Sequence, residues 1–201
     1  MATDIFKADI TASHVCVVAP GRSGRNHYSD VPDDAFIIVV NKAIELPLRP
    51  RLWMCSEPYA GETDWFQDNI EANKRIACFW NQYLYEKYPD IAYFWEREKP
   101  LLTEKDSIPK GGVLRRGATI TGQAVQLAYW LGARQITLCG FDACGNKYFD
   151  DTPAGIDDAI DARAGEWDWV IARMNPMIEW MQGHGIEVVS LSPTALNVKV
   201  I

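Results

Sequence analysis

Short runs of consecutive apolar residues recur along the chain. They cover residues 14–19, 35–40, 52–55, 75–80, 135–140 and 186–191, and a further candidate covers residues 91–95. Runs of this length are typical of strands that are buried on both faces, as in a parallel sheet. The pattern therefore predicts a mostly parallel sheet built from these segments.

One segment has the period of an α-helix instead. From residue 120 onwards, apolar side chains follow at offsets of four, seven, eight and eleven, at Ile120, Ala124, Leu127, Ala128 and Leu131. This spacing forms one apolar stripe on a helix. Thr119 or Thr121 can cap the start of the helix, and Gly132 can supply the left-handed residue that ends it.

Two further helices are predicted, at residues 64–73 and 157–181. The second has an apolar stripe at Trp167, Val170, Ile171, Met174, Ile178 and Met181. We interpret this stripe as core. Pro176 lies inside it and should kink or divide the helix, because proline lacks the N–H group that an interior position donates. Residues 183–185, Gly-His-Gly, should end it.

A helix that leads directly into a buried strand, as residues 120–140 do, is half of a parallel α/β unit. We therefore expect one α/β domain over residues 1–201, with a doubly wound, Rossmann-like, mostly parallel sheet and helices on both faces. Ligands of such sheets bind at the carboxyl ends of the strands. Gly140, Phe141 and Asp142 lie at such an end. Asp142 is thus a candidate site residue, and a solvated turn residue is the alternative.

Composition and charge narrow the function classes. The chain has 201 residues, an apolar content of 48% and a formal net charge of −7. This charge argues against a nucleic-acid surface, which needs a basic face. No apolar run approaches the roughly 18 residues of a membrane span, and the N-terminal segment does not resemble a signal peptide. We expect a cytoplasmic protein without a transmembrane segment, and the oligomeric state stays open.

The cysteines support that expectation. There are five, Cys16, Cys55, Cys78, Cys139 and Cys144, and no two of them form a CxxC motif. Several lie within the apolar runs. We interpret them as reduced core residues of a cytosolic protein. A redox pair of Cys139 and Cys144 is the alternative.

Two strand ends carry groups that suit an anionic ligand. The first predicted strand leads into the loop PGRSGRN, where glycines let main-chain N–H groups approach a phosphate and Arg22 and Arg25 add charged donors. The loop matches neither GxGxxG nor the P-loop pattern, so a tight surface turn is the alternative. The second strand ends at Asn41 and Lys42, whose amide and ammonium groups can hydrogen-bond a ligand.

Residues 81–116 interrupt the α/β pattern. They begin with a cluster of aromatic residues and continue into a segment rich in Lys and Gly that ends at Arg115 and Arg116. A basic strip in an acidic chain could close over an anion as a lid. The alternative is a solvated connector.

Four pieces of the chain, taken in order, resemble one family. They are HVCVVAPGRSG, FIIVVNKA, GATITGQAVQLAYWLGARQITLCGFD with the loop GNKYFDD, and IEVVSLSPTALN. Their order and spacing resemble the bacterial sialyltransferases of glycosyltransferase family 42. They also resemble the related domain of unknown function that includes the archaeal 6-hydroxymethylpterin pyrophosphokinases. The likeness covers most of the chain except residues 81–110.

The resemblance implies a doubly wound α/β domain with a lid, CMP-sialic acid as donor, and a set of site residues. Those implied to face the phosphate and ribose of the donor are Gly21, Arg22, Ser23, Gly24 and Asn41. Thr121 and Gly122 match a Ser-Gly pair at the donor site. Asn146 and Tyr148 fall in the loop that contacts the nucleotide and its phosphate.

The chain also departs from the family pattern. The sialyltransferases use a histidine base in the region between the GFD loop and the last strand. The histidines here are His14, His27 and His184, and His184 adjoins the last strand, too late in the chain to match. Ala118 stands where the family has an arginine, and Arg115 and Arg116 lie close enough in sequence to substitute. The glycine-rich loop also lacks the usual Asn-Gly-Pro-Ser order.

Three functions follow as hypotheses. The first is a sialyltransferase-like glycosyltransferase with a CMP-sugar donor, a hydroxyl acceptor and no required cofactor. Tyr148, Arg115 and Arg116 would stabilise the departing phosphate, and the base would be one of Asp142, Asp150 and Asp151. The second is a Mg²⁺-dependent pyrophosphokinase on a pterin-like alcohol, in which those aspartates hold the metal. The third is a nucleotide-binding module that has lost the catalytic base.

Overall fold

The strands of the computed structural model lie in one sheet. The structure describes residues 12–55, 60–79, 82–93, 119–143 and 164–201. Within these ranges, eight strands lie in the order β5-β4-β3-β2-β1-β6-β7-β8, and every neighbouring pair is parallel. They are β1 His14–Val18, β2 Phe36–Val40, β3 Leu52–Cys55, β4 Ala77–Phe79, β5 Ala92–Tyr93, β6 Gln135–Cys139, β7 Glu187–Ser190 and β8 Lys199–Val200. The predicted fold class is confirmed.

Five helices connect the strands in the described ranges. They are α1 Gly24–His27, α2 Asp64–Asn73, α3 Gln82–Lys87, α4 Ile120–Trp130 and α5 Ala164–Gly183. Short 3-10 turns cover Tyr28–Asp30, Asn41–Glu45 and Ala60–Glu62. In the part of the chain that is described, no helix is long and apolar enough to cross a membrane.

The sheet is covered on both faces because its strands alternate their apolar side chains. Val15 and Val17 of β1 contribute to the core under α4 and α5, which also contains Leu127 and Met174. Cys16, Val18 and their neighbours contribute to the other core, together with Trp65, Phe66 and Ile70 of α2. Fully burying a side chain such as Phe66 stabilises the fold by about 1.5–3 kcal/mol. The two cores place the sheet between layers of helices.

The strand order reverses at β1. The chain adds β2 to β5 on one side of β1 and then returns to place β6 to β8 on the other side. Parallel connections are right-handed, so the reversal moves the connecting helices from one face to the other. The carboxyl ends of β1 and β6 therefore flank the topological switch point, where open α/β sheets bind their ligands.

Several local predictions are resolved by the structure. Gly132 ends α4 with φ +83°, as predicted, and the stripe of α5 is core. Helix α5 is continuous through Pro176, so the expected division does not occur. The predicted start of that helix, at residues 157–163, lies outside the described residues. Three elements, α1, α3 and β8, were not predicted, because each is short and the side chains of β8 are exposed.

The prediction of reduced core cysteines is confirmed for four of the five. Cys16, Cys55, Cys78 and Cys139 are buried, and none of these four is in a disulfide. Burial raises the pKa of the Cys16 and Cys139 thiols to about 12, because the interior disfavours the thiolate. Both thiols therefore stay protonated at neutral pH. Cys144, and with it the suggested redox pair, lies outside the described residues.

Candidate functional site

The loops that follow β1 and β6 meet at the switch point. Pairing of the two strands continues beyond their ends, since Ala19 N donates to Cys139 O over 2.8 Å and Gly21 N donates to Gly140 O over 2.7 Å. The glycine-rich loop is thus held against the residues that follow β6. Sequence reasoning proposed both loops as site elements, and the structure brings them together.

Glycine is required here because the two backbones approach closely. A Cβ atom on Gly21 would lie 2.3 Å from the carbonyl oxygen of Gly140. A Cβ atom on Gly140 would lie 2.3 Å from the carbonyl oxygen of Ala19, and Gly140 also has φ +69°. Neither position accepts a side chain without displacement of backbone. The glycines of this loop are therefore explained by its contact with β6.

Asp142 binds the glycine-rich loop through Ser23. The main-chain N–H of Ser23 donates to Oδ2 of Asp142 over 3.1 Å, and the Ser23 hydroxyl donates to Oδ1. Hydrogen bonds to an ionised acceptor are stronger than those between neutral groups. The carbonyl oxygen of Asp142 accepts in turn from Ala195 N over 3.1 Å. Both carboxylate oxygens of Asp142 are thus engaged by one residue.

The main-chain N–H groups of the loop are used within the protein. Gly21 donates to Gly140 O, Gly24 donates to Gly21 O over 3.0 Å, and Ser23 donates to Asp142. These three groups do not form a cradle for a phosphate in this structure. Arg22 and Arg25 are exposed on the same loop. Their guanidinium groups are the positively charged groups of this segment.

A third loop, after β7, completes the contact. Gly140 N donates to the Ser192 hydroxyl over 2.9 Å, and the Ser190 hydroxyl donates to Ser192 O over 2.6 Å. Both serines are fully buried. Ser190 and Ser192 were not among the predicted site residues. The sequence did contain a signal for them, because both serines lie at the carboxyl end of an apolar strand, as the candidate residues after the other strands do.

Asn41 lies at the end of β2, the neighbour of β1 in the sheet. It is buried and has φ +47°, in the left-handed region that few residues other than glycine adopt. Its carbonyl oxygen accepts from Trp53 Nε1 over 2.9 Å. Lys42 is also buried, with Nζ 3.8 Å from Oε2 of Glu45. Both residues lie at the predicted edge of the sheet.

The start of α4 lies at the same edge. Its last turn is at the amino edge, since Leu131 O accepts from Ala12 N, just before β1. Helix α4 has 11 residues and packs on β1, β2 and β3. At about 1.5 Å per residue, its start lies roughly 16 Å from its last turn, toward the carboxyl edge of the sheet. Thr119 caps it, its hydroxyl oxygen accepting from Gly122 N over 3.1 Å. Thr121 and Gly122 are buried.

Buried polar groups on α4 were missed by sequence reasoning. Gln123 is almost fully buried, and within the described part of the chain its Oε1 atom has no hydrogen-bond partner. Gln126 is fully buried on the next turn. The sequence analysis read this helix only for its apolar stripe. Two glutamines among small and apolar residues were the signal that was available.

The histidines do not supply the base at the family's position. His184 follows α5, stacks on Trp180 with ring centroids 4.0 Å apart, and precedes β7, which places it at the amino edge. His14 begins β1, at the same amino edge. His27 ends α1, near the glycine-rich loop, with Nδ1 3.4 Å from Oδ2 of Asp30.

The remaining candidates lie outside the described residues. They are Arg115, Arg116, Asn146, Tyr148, Asp150 and Asp151. Of the lid candidate at residues 81–116, only residues 82–93 are described, and they form α3 and β5. Among the described residues, no group of three or more His, Cys, Asp or Glu side chains could hold a metal ion.

Comparison with known proteins gives a match at the level of the fold. No family model matches the chain, and no curated protein does. The chain is similar to the structure of the sialyltransferase CstII from Campylobacter jejuni in complex with CMP-3FNeuAc, with a TM-score of 0.58 at 14% identity. It is also similar to CstII in complex with cytidine-5′-monophosphate, with a TM-score of 0.50 at 12% identity. Each alignment covers 94% of this chain and 86% of the other. The chain therefore has a sialyltransferase-like α/β fold.

Proposed function

We propose that this protein is a transferase that uses an activated nucleotide donor, with a CMP-sugar as the donor and a hydroxyl group as the acceptor. One observation carries the proposal. The glycine-rich loop and residues 140–142 meet at the topological switch point of the sheet, the place where such sheets bind nucleotides. The fold shared with CstII, whose structures contain CMP ligands, supports the same class of donor.

The donor would lie along the carboxyl edge. The side chain of Arg22 would meet the phosphate, because the N–H groups of Gly21, Ser23 and Gly24 are used within the protein. Asn41 would lie on one side of the donor. Thr121 and Gly122, at the start of α4, would lie on the other side of the donor. We assign nucleotide contacts to Asn146 and Tyr148 as part of the same proposal.

Transfer needs two further groups. A base must remove the proton of the acceptor hydroxyl, and a donor must stabilise the charge that develops on the leaving phosphate. We assign the second role to Tyr148 together with Arg115 and Arg116. Asp150 and Asp151, which follow Tyr148 in the sequence, are the candidates for the base. No required cofactor enters this proposal.

Thermal unfolding in the presence of CMP, CDP and ATP, each with and without Mg²⁺, tests the proposal. We expect stabilisation by the cytidine nucleotides without a metal requirement. A shift near 2.7 kcal/mol in the free energy of unfolding is expected at a concentration about 100 times the dissociation constant. Stabilisation by ATP that depends on Mg²⁺ would favour the pyrophosphokinase hypothesis. Binding of CMP without hydrolysis or transfer of a CMP-sugar would favour a non-catalytic nucleotide-binding module.

A further inference from the structure

We propose that Asp142 is a positioning residue that fixes the glycine-rich loop, and that it is not the base of the reaction. The claim about the loop stands on the contacts of Asp142 alone. Its consequence for nucleotide affinity rests on the proposed function. Asp142 and Ser23 together are called the clamp below.

Both oxygens of the Asp142 carboxylate bind the glycine-rich loop. Oδ2 of Asp142 accepts from the main-chain N–H of Ser23, and Oδ1 accepts from the Ser23 hydroxyl. One bond fixes the backbone of the loop and the other fixes the side chain. A base must instead direct an oxygen at the hydroxyl of the acceptor. The geometry of Asp142 directs both oxygens at the protein's own loop.

Asp142 is itself held in place. Its carbonyl oxygen accepts from Ala195 N over 3.1 Å, so the loop after β7 supports it from behind. Two residues earlier, Gly140 N donates to the buried hydroxyl of Ser192. The position of Asp142 is therefore set by β6 and by the loop after β7. The hydrogen bonds from Ser23 to Asp142 therefore fix the glycine-rich loop relative to β6.

The clamp also fixes the backbone on either side of Ser23. Ser23 lies between Arg22, which is exposed, and Gly24, which is buried against Gly140. A Cβ atom added to Gly24 would lie 3.0 Å from the Cα atom of Gly140. With Ser23 and Gly24 both fixed, the backbone of Arg22 starts from a defined position. A side chain that starts from a fixed backbone loses less entropy when it binds a ligand. The clamp thus prepares Arg22 to contact a phosphate.

Substitutions of Asp142 separate the two roles. Asp142→Asn keeps the shape and an acceptor oxygen for Ser23 N, and its amide N–H can donate to the Ser23 hydroxyl, but it cannot act as a base. Asp142→Ala removes the clamp. Ser23→Ala removes only the bond from the hydroxyl and is the second probe if Asp142→Ala fails to fold. Asp168→Ala, at an exposed position on α5, is the matched control.

Hydrogen exchange of the peptide that covers residues 19–27 is the first readout, because it needs no ligand. We expect exchange to be at least about tenfold faster in Asp142→Ala than in the parent, because both hydrogen bonds of the clamp are lost. Ser23→Ala should show a smaller increase. Asp142→Asn and Asp168→Ala should exchange within about threefold of the parent. Equal exchange in Asp142→Ala and the parent would overturn the proposal.

Affinity for CMP and hydrolysis of a CMP-sugar are the second readout. We expect Asp142→Ala to bind CMP about tenfold more weakly and Asp142→Asn to recover most of the affinity and the turnover. Loss of turnover in Asp142→Asn, with normal exchange and normal CMP affinity, would identify Asp142 as the base and overturn the proposal. If the parent itself does not bind CMP, the proposed function fails, and the exchange data alone decide whether the clamp exists.

Discussion

The main-chain N–H of Gly21 donates to the carbonyl oxygen of Gly140 over 2.7 Å, although more than half of the chain separates the two residues. This bond joins the loops after β1 and β6 at the switch point. Each glycine occupies a place in which a side chain would collide with the backbone of the other loop. The candidate site is therefore sensitive to substitutions that add even one methyl group.

Gly140→Ala should destabilise the protein strongly. The new Cβ would lie 2.3 Å from Ala19 O, and the residue would have to keep φ +69°. We expect a loss of about 3 kcal/mol or more, from backbone strain together with the collision. Gly132→Ala is the matched control, because Gly132 has φ +83° but no atom within 4 Å of the added Cβ. It should cost only about 1–2 kcal/mol. Urea unfolding compares the two, and equal losses would contradict the close approach.

Ser192→Ala should leave Gly140 N without its partner. The Ser192 hydroxyl is buried and accepts from this N–H over 2.9 Å. An unsatisfied buried donor costs about 1–3 kcal/mol. We expect that loss in the free energy of unfolding, whereas Ser29→Ala, at an exposed position, should stay within about 0.5 kcal/mol of the parent. A neutral Ser192→Ala would mean that the N–H finds another acceptor.

The buried thiols predict a loss of stability at high pH. Burial raises the pKa of Cys16 and Cys139 from 9.0 to about 12, so in the window between these values the unfolded chain releases protons that the folded protein keeps. Unfolding is then favoured by rising pH, by up to about 1.4 kcal/mol per pH unit for each thiol. Urea unfolding at pH 8 and pH 10 measures the effect.

The control for the thiols is the double variant Cys16→Ala, Cys139→Ala. It should be less stable than the parent at pH 8, because it leaves space in the core, but its stability should fall less steeply toward pH 10. The same slope in both proteins would assign the pH dependence to other groups. The thiols should also resist labelling by a thiol reagent in the native protein at pH 8.

Arg115 and Arg116 are predicted to contact the anionic ligand. A charged hydrogen bond contributes about 1.5–3 kcal/mol, so Arg115→Ala or Arg116→Ala should weaken CMP binding about tenfold or more. The loss should shrink at higher salt, because screening weakens the interaction in the parent. Titration of each variant at two salt concentrations measures this. Unchanged affinity in both would make the segment a solvated connector, and a loss independent of salt would indicate packing.

The sheet could be predicted because its strands are short and apolar on both sides. The predicted apolar runs include residues 15–18 and 136–139, and all of these residues are buried. The end of α4 followed from Gly132, whose left-handed conformation suits a helix end. The short helices α1 and α3 were missed because four to six residues are too few to show a helical period, and β8 was missed because its side chains are exposed.

The interior of the candidate site could be predicted only in part. Asp142 and the glycine-rich loop were recognised as neighbours of strand ends, but the bonds between Asp142 and Ser23 join residues 119 positions apart. Such bonds depend on the register of β1 against β6, and no local pattern encodes that register. The left-handed conformation of Asn41 and the burial of Ser192 could not be predicted for the same reason. Their conformations are set by tertiary contacts and not by their own sequence neighbours.

The reversal of strand order at β1 has a consequence for the chain as it is synthesised. β1 finds its first neighbour, β2, soon after both have been translated, but its second neighbour, β6, begins only at Gln135. Pairing of segments so distant in sequence is slow, because a long loop must be closed first. A nascent chain that has not yet passed Asp142 has one side of β1 open and an incomplete candidate site. A ligand that binds between these two loops can therefore act on folding only at a late stage, after most of the sheet has been made.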